Sequence, residues 1–176
     1  MYILPYLDKY PQLADNVFVA QNACVVGDVH LGVASNVWYN VTIRGDVAPV
    51  YVGQDTNIQD NTVIHTSRFN GPCTIGASVT IGHTCILHAC NVHDFGFIGM
   101  GAVIMDKVVV ASYGFVAAKA LVPPGKVVGS YELWAGVPAK FVRKLTEHEI
   151  FLIEDTPPHY KMLAQNHRIS QTNPNI

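Results

Sequence analysis

Three of the eight histidines in this 176-residue chain fall in two short stretches, Ile64-His65-Thr66 and Ile81-Gly82-His83-Thr84-Cys85-Ile86-Leu87-His88. Neutral imidazoles are good ligands for zinc and related ions. Three of them around one ion leave a fourth position open for water, the arrangement of catalytic zinc. An ion held in this way lowers the pKa of its water to about 7 and supplies hydroxide at neutral pH. A lone histidine is most often an ordinary surface residue. What sets these three apart is the aliphatic residue beside each, because those residues belong to a repeat that decides where each ring points.

Val19, Val25, Leu31, Val37 and Ile43 recur every six residues. After three extra residues the series resumes at Val52, Ile58 and Ile64, and after five more at Ile75, Ile81 and Leu87. One residue short, it then continues at Val92, Ile98, Ile104, Val110, Val116 and Val122. A helix would space such anchors by three and four and a simple strand by two, whereas a period of six is that of a parallel β-helix. The residue after the anchor is often glycine, as at Gly32, Gly53, Gly76, Gly82 and Gly99, which suits a tight turn at a corner. The residue four after it is usually small or β-branched, as at Ala23, Val29, Val47, Thr62 and Ala102, which suits short strands around a narrow core.

Counted in threes, the hexads anchored at Ile43, Ile64 and Leu87 take the same place on successive turns. Arg44, His65 and His88 then form one column, stacked roughly 4.8 Å apart. The hexads at Ile58 and Ile81 take the preceding corner, where Asp60 and His83 form a second column. The extra residues before Ile75 bulge out as a loop, Thr66 to Cys73. Columns at two corners of one prism do not converge. In a cyclic trimer, however, one corner of each chain meets a different corner of its neighbour. His65 and His88 of one chain would face His83 of the next, giving a homotrimer with three shared metal sites. Cys85 is the fifth residue of its hexad and points to the core, which discounts it as a ligand. His30, His93, His148, His159 and His167 lie outside the columns and read as surface or packing residues.

Composition narrows the classes. An apolar content of 49% with 14% charged residues fits one ordinary domain. A formal net charge of -2 and a pI near 6.4 give no electrostatic footprint for nucleic acid or an anionic membrane. The chain has no apolar run long enough to span a bilayer. Its first residues resemble neither a signal nor a transit peptide, so a cytoplasmic location is expected. Cys24, Cys73, Cys85 and Cys90 form no C-x-x-C pair and read as reduced, mostly buried thiols.

The repeat resembles that of the hexapeptide-repeat proteins, a resemblance that implies a left-handed coil. Over about residues 10 to 145 the chain is more closely similar to the gamma-class carbonic anhydrases. That similarity rests on Arg44-Gly45-Asp46, Asn57-Ile58-Gln59-Asp60-Asn61, Ile64-His65 and Gly82-His83 followed by His88. The resemblance implies that His65, His83 and His88 ligate Zn2+, with Fe2+ or Co2+ in some members. It also implies that Gln59 touches the bound water or bicarbonate, that Asn57 helps orient it, and that Arg44 pairs across the subunit boundary with Asp60. Asp46 belongs to the same interface motif. The activity implied is reversible hydration of carbon dioxide, with attack by hydroxide held on the ion. Two departures bear on proton export. Val47 stands where the best-studied type has Glu, and the loop Thr66 to Cys73 carries no acidic residue. Protons would leave through water, buffer or Tyr160.

Shorter relatives encoded with phenylacetate or carnitine metabolism share the motifs, and some look like acyl-CoA thioesterases with a Tyr matching Tyr160. Thioesterase is therefore the second reading. A structural subunit, as in plant respiratory complex I, is another. Acyl transfer, which uses a single catalytic His on this coil, ranks below the two hydrolytic readings.

The expected fold is all-β with a C-terminal α-helix: a single left-handed parallel β-helix of hexapeptide repeats with about six turns. Residues 1–16 form an extended lead, 17–128 the coil, and 129–176 an exit segment and helical tail. Pro123-Pro124-Gly125 should break the repeat. Thr146 with Glu149 reads as a capping box opening a helix, and Thr156-Pro157 as a second helix start. Phe151, Ile153, Tyr160 and Leu163 suggest a face folded back on the coil. Ser170 to Ile176 should fray.

Overall fold

Six-residue spacing puts one aliphatic side chain per short strand on the inside of a parallel β-solenoid. In the computed structural model, which describes residues 1–172, every anchor from Val19 to Val122 is buried. Each fully buried aliphatic side chain is worth roughly 1.5–3 kcal/mol, so the core is spread along the whole coil.

Strand register resolves the anchors into three stacks. The first runs Ile3, Val25, Ile43, Ile64, Leu87, Ile104, Val122. The second runs Leu13, Leu31, Val52, Ile75, Val92, Val110, Val128. The third runs Val19, Val37, Ile58, Ile81, Ile98, Val116, Trp134. The solenoid therefore has about seven turns, one more than expected. The lead is not merely extended, since Tyr2–Leu4 and Gln12–Leu13 pair with Cys24–Leu31 and supply part of the first turn. Nor does Pro123-Pro124-Gly125 break the repeat. Gly125 takes the left-handed turn conformation (φ +71°), and Val127–Val128 and Glu132–Gly136 complete the last turn. Ala139–Lys144 then returns antiparallel along Glu132–Gly136.

The corner chemistry also differs from the sequence reading. The left-handed residue falls third after the anchor and is usually not glycine: Asn40, Asp55, Asn61, Ser78, Thr84 and Phe95 all have positive φ. The glycines directly after the anchors answer a different demand, close approach between turns. A Cβ on Gly99 would lie 2.5 Å from the Ala118 amide nitrogen, and one on Gly82 2.8 Å from that of Met100. Val47 does not join the small core residues, because it lies in the three-residue insertion and is exposed. There the register jumps from Gly27↔Gly45 to Val29↔Val50.

One helix, Glu147–Thr172, packs along the third stack. Thr146 opens it as expected: the Thr146 amide donates to Glu149 Oε2 (2.8 Å) and the Glu149 amide to Thr146 Oγ1 (3.3 Å). There is no second start at Thr156. The helix runs through Pro157 and Pro158, and the Thr156 hydroxyl donates to the Leu152 carbonyl at 2.6 Å. Its buried side is Ile153, Pro157 and Ala164 with Tyr160 and Leu163 half-buried, whereas Phe151 faces outward. Tyr160 and His167 meet Trp38 edge-on, and Tyr39 and His167 share a 2.9 Å hydrogen bond. The helix continues through Ser170 and Gln171, where fraying was expected; the rest of that expectation, from residue 173, lies outside the described residues.

Two outcomes follow. Gly99→Ala should lower the thermal midpoint by the equivalent of about 1–3 kcal/mol, because neighbouring backbone has no room to yield; an unchanged midpoint would mean that the turns separate freely. Hydrogen bonds from Arg143, against some burial and aided by Thr146, bring the Glu149 carboxyl down to about 2. Its contribution is fully present above the ordinary carboxylate range and is lost as pH falls toward that value. Glu149→Gln should therefore melt earlier than wild type at neutral pH, with the gap closing in acid. A gap independent of pH would contradict the assignment.

Candidate metal centre

The register carries Arg44, His65 and His88 into one column, as the repeat predicts. His65 Nδ1 and His88 Nε2 face each other at 3.3 Å. The other nitrogen of each ring lies on a carboxylate: His65 Nε2 is 3.0 Å from Asp46 Oδ1, and His88 Nδ1 is 2.5 Å from Asp106 Oδ1. Burial pushes both carboxyls up, but it is outweighed. Bonds from His65 and Arg44 hold Asp46 below its ordinary value, and bonds from Asn70 and His88 do the same for Asp106. Both are ionised at neutral pH and can only accept, so the ring nitrogen facing each must carry the proton. In neutral rings the two facing nitrogens are then both bare lone pairs. Two nitrogen ligands at 2.0–2.1 Å in a tetrahedral zinc site lie about 3.3–3.4 Å apart. The donor set therefore fits such an ion, and carboxylates behind the rings are the usual means of fixing tautomer and orientation.

Each departure from the six-residue period lies beside this pair. The insertion after Ile43 carries Asp46, whose other oxygen pairs with Arg44. The loop after His65 is closed by a Ser67↔Gly71 bridge, and its Asn70 donates to Asp106 Oδ2 at 2.6 Å. The missing residue falls just after His88, where Ala89 has φ +44°. Asp106 and Asn70 escaped the sequence reading. The hexad stacked next to that of His88, anchored at Ile104, carries Asp106 as its third residue, one step beyond the column position at Met105. Nothing in the sequence marked Asn70, which depends on how the loop folds.

His83 stands at the other corner, with Nδ1 2.9 Å from Asp60 Oδ2; a neutral ring that donates to this carboxylate leaves Nε2 bare. It does not join His65 and His88 within one chain. Among the described residues, no group of three or more His, Cys, Asp and Glu side chains could hold a metal. Arg44 and Asp60 likewise find different partners inside the chain, Asp46 and His83. Beside His83 opens a cleft of about 360 Å³ walled by Gln59, Phe97, Met100, Phe115 and Tyr160. Gln59 Nε2 donates to Asn57 Oδ1 (3.0 Å), and Asn57 Nδ2 donates to Thr80 Oγ1 (2.9 Å), so one chain of amides sets Gln59. Burial, with the charge of Asp60, pushes the Tyr160 hydroxyl up. Cys85 is buried and its thiol is pushed up to about 11, chiefly by burial, which agrees with leaving it out of the ligand set.

Comparison with known proteins places this geometry in context. No family model matches the chain. It is 46% identical over 98% of its length to "Gamma carbonic anhydrase 1, mitochondrial" of Arabidopsis thaliana, of which it spans 64%. It is 41% identical over 96% of its length to "Carbonic anhydrase" of Geobacillus kaustophilus, spanning 92% of that protein. Among solved structures, a hexapeptide transferase family protein from Anaplasma phagocytophilum matches with a TM-score of 0.90 and 44% identity, covering 94% of this chain and 97% of that one.

The carboxylate account makes a prediction about the metal-free protein. Long-range proton–nitrogen spectra should show His88 protonated at Nδ1 and bare at Nε2, and Asp106→Ala should let the two tautomers exchange. A ring that keeps its Nδ1 proton unperturbed in the variant would show that Asp106 does not set it.

Proposed function

The chain belongs to the carbonic anhydrase family, and from that premise we propose that it is a gamma-type enzyme that hydrates carbon dioxide reversibly to bicarbonate. In this reading the chain is a homotrimer, and each site holds zinc between His65 and His88 of one copy and His83 of a neighbour. Fe2+ or Co2+ suits the same donors. The observation that carries the reading is the pair of imidazole nitrogens 3.3 Å apart, with the other nitrogen of each ring on a carboxylate. Zinc bound there would supply hydroxide at neutral pH.

The chain's own residues do the rest. Asp46, Asp106 and Asp60 keep one proton on the far nitrogen of each ring, so that the near nitrogen stays available. Asn57, fixed by Thr80, takes one amide proton of Gln59. The carbonyl oxygen of Gln59 is then the acceptor that orients the attacking water. Phe97 and Phe115, stacked at 4.5 Å, and Met100 give carbon dioxide an apolar approach. Tyr160, its hydroxyl pushed up, stays protonated and serves as a donor to substrate oxygen rather than as a carrier of protons. Proton export then falls to water and buffer.

Metal analysis with stopped-flow hydration assays, paired with short acyl-CoA hydrolysis assays, tests this. Carbon dioxide hydration should require the bound metal and rise with added small buffer. His65→Ala, His83→Ala and His88→Ala should each lose metal and activity together, while Asp106→Ala should weaken metal affinity about 10–100-fold. Full hydration by metal-depleted protein, or thioester cleavage without hydration, would overturn the proposal.

A further inference from the structure

Cys73 and Cys90 play no part in the chemistry above, yet their sulfurs lie 3.8 Å apart inside the coil. They occupy one core stack: Val50 is in register with Cys73, and the pairing Thr74↔Asn91 places Cys90 beside it on the next turn. Neighbouring turns are roughly 4.8 Å apart, within the Cα separation of about 4.4–6.8 Å that a disulfide spans. Each cysteine also ends a segment of the site. Cys73 closes the loop that holds Asn70 against Asp106, and Cys90 follows His88 by two residues.

We propose that Cys73 and Cys90 are a thiol pair that peroxide converts to a cross-turn disulfide, and that closing the bond displaces His88. Both thiols are buried, Cys90 keeping 3% of its surface and Cys73 none, and in the proposed order Cys90 reacts first. Its sulfur attacks one peroxide oxygen, giving a sulfenic acid and one water. The Cys73 sulfur then displaces the sulfenic oxygen, which leaves as a second water with the Cys73 proton. Two thiols lose two electrons and two protons, and one hydrogen peroxide becomes two waters. Cys24 lies on another turn, and Cys85, within the turn that joins Cys73 to Cys90 but in the hexad at Ile81, is set against the Gly99 carbonyl, 3.2 Å away.

Coupling to His88 follows from what joins the two residues. The sulfurs must close from 3.8 Å to about 2.05 Å. Cys73 sits in a strand paired on both sides, Val50–Val52 on one and Asn91–Val92 on the other. Cys90 adjoins Ala89, a non-glycine residue at φ +44° in the one hexad that lacks a residue. Ala89 is itself bonded to the turns on both sides, its amide to the His65 carbonyl (3.0 Å) and its carbonyl to the Lys107 amide (2.8 Å), so a shift of Cys90 is passed through it to His88. Only the consequence for metal retention rests on the proposed metal site; the bond and the ring displacement do not.

The test uses the full chain, metal-free and zinc-loaded, treated with hydrogen peroxide and then with dithiothreitol. A non-reducing digest should yield a peptide linking Cys73 to Cys90, with Cys24 and Cys85 still free. In the metal-free protein the His88 ring signals should shift while those of His30 stay, and dithiothreitol should restore them. The zinc-loaded protein should release zinc on oxidation. Cys73→Val, which matches Val50 and Val108 in the same stack, should abolish all three responses; Cys90→Ala serves if that variant fails to fold. Oxidation of either cysteine without the linked peptide, or a linked peptide with His88 unmoved, would overturn the proposal. A linked peptide and a shifted ring without zinc binding at any stage would leave the thiol pair standing and count against the metal reading alone.

Discussion

Parallel hydrogen bonding between successive turns is the constraint on which everything else rests. Because each turn repeats the backbone path of the one before, side chains at one repeat position become a column, and the columns are held as rigidly as the sheet itself. Ile43, Ile64 and Leu87 pair in register, so the residues one step on, Arg44, His65 and His88, can only stack. The rings need no designed loop to bring them together. They inherit their spacing from the coil, and the glycines between turns keep the coil close enough for that spacing to hold.

On this frame the site is made by the places where the period fails. A perfect run of hexads would give a smooth prism with nothing standing out from its corners. The insertion after Ile43 throws Asp46 outward onto His65, the loop after His65 brings Asn70 to Asp106, and the shortened hexad after His88 bends the chain at Ala89. Ionised carboxylates behind the rings then decide which nitrogen of each is bare. The electrostatics is simple: an anion fixes a proton on the far side, and a lone pair is left on the near side for a cation.

Much of this was legible in the sequence because it depended on counting. The buried anchors, the three stacks, the histidine column and the capping box at Thr146 all follow from periodicity or local chemistry. The first turn was missed because Ile3 lies off the phase of the repeat, although Leu13, six residues before Val19, keeps it, and the last because two prolines after Val122 looked like an ending. Proline is tolerated at 123 because Val122 ends its stack, so there is no further turn of that stack to accept a bond of the kind that the Met105 amide makes to the Val122 carbonyl. The helix through Pro157 and Pro158 survives for a tertiary reason that a local reading cannot see, the burial of Ile153, Pro157 and Ala164 along the coil. Asn70 was invisible because a loop conformation, not a repeat position, carries it to Asp106.

The central claim is that imidazoles from two copies of the chain share one cation. Anomalous diffraction from crystals of the zinc-loaded assembly, collected across the zinc absorption edge, tests it directly. The account predicts one peak at each boundary between copies, within coordination distance of His65 Nδ1 and His88 Nε2 of one chain and His83 Nε2 of another. A peak bound by residues of a single chain, or boundaries at which these rings lie far apart with no peak between them, would contradict it.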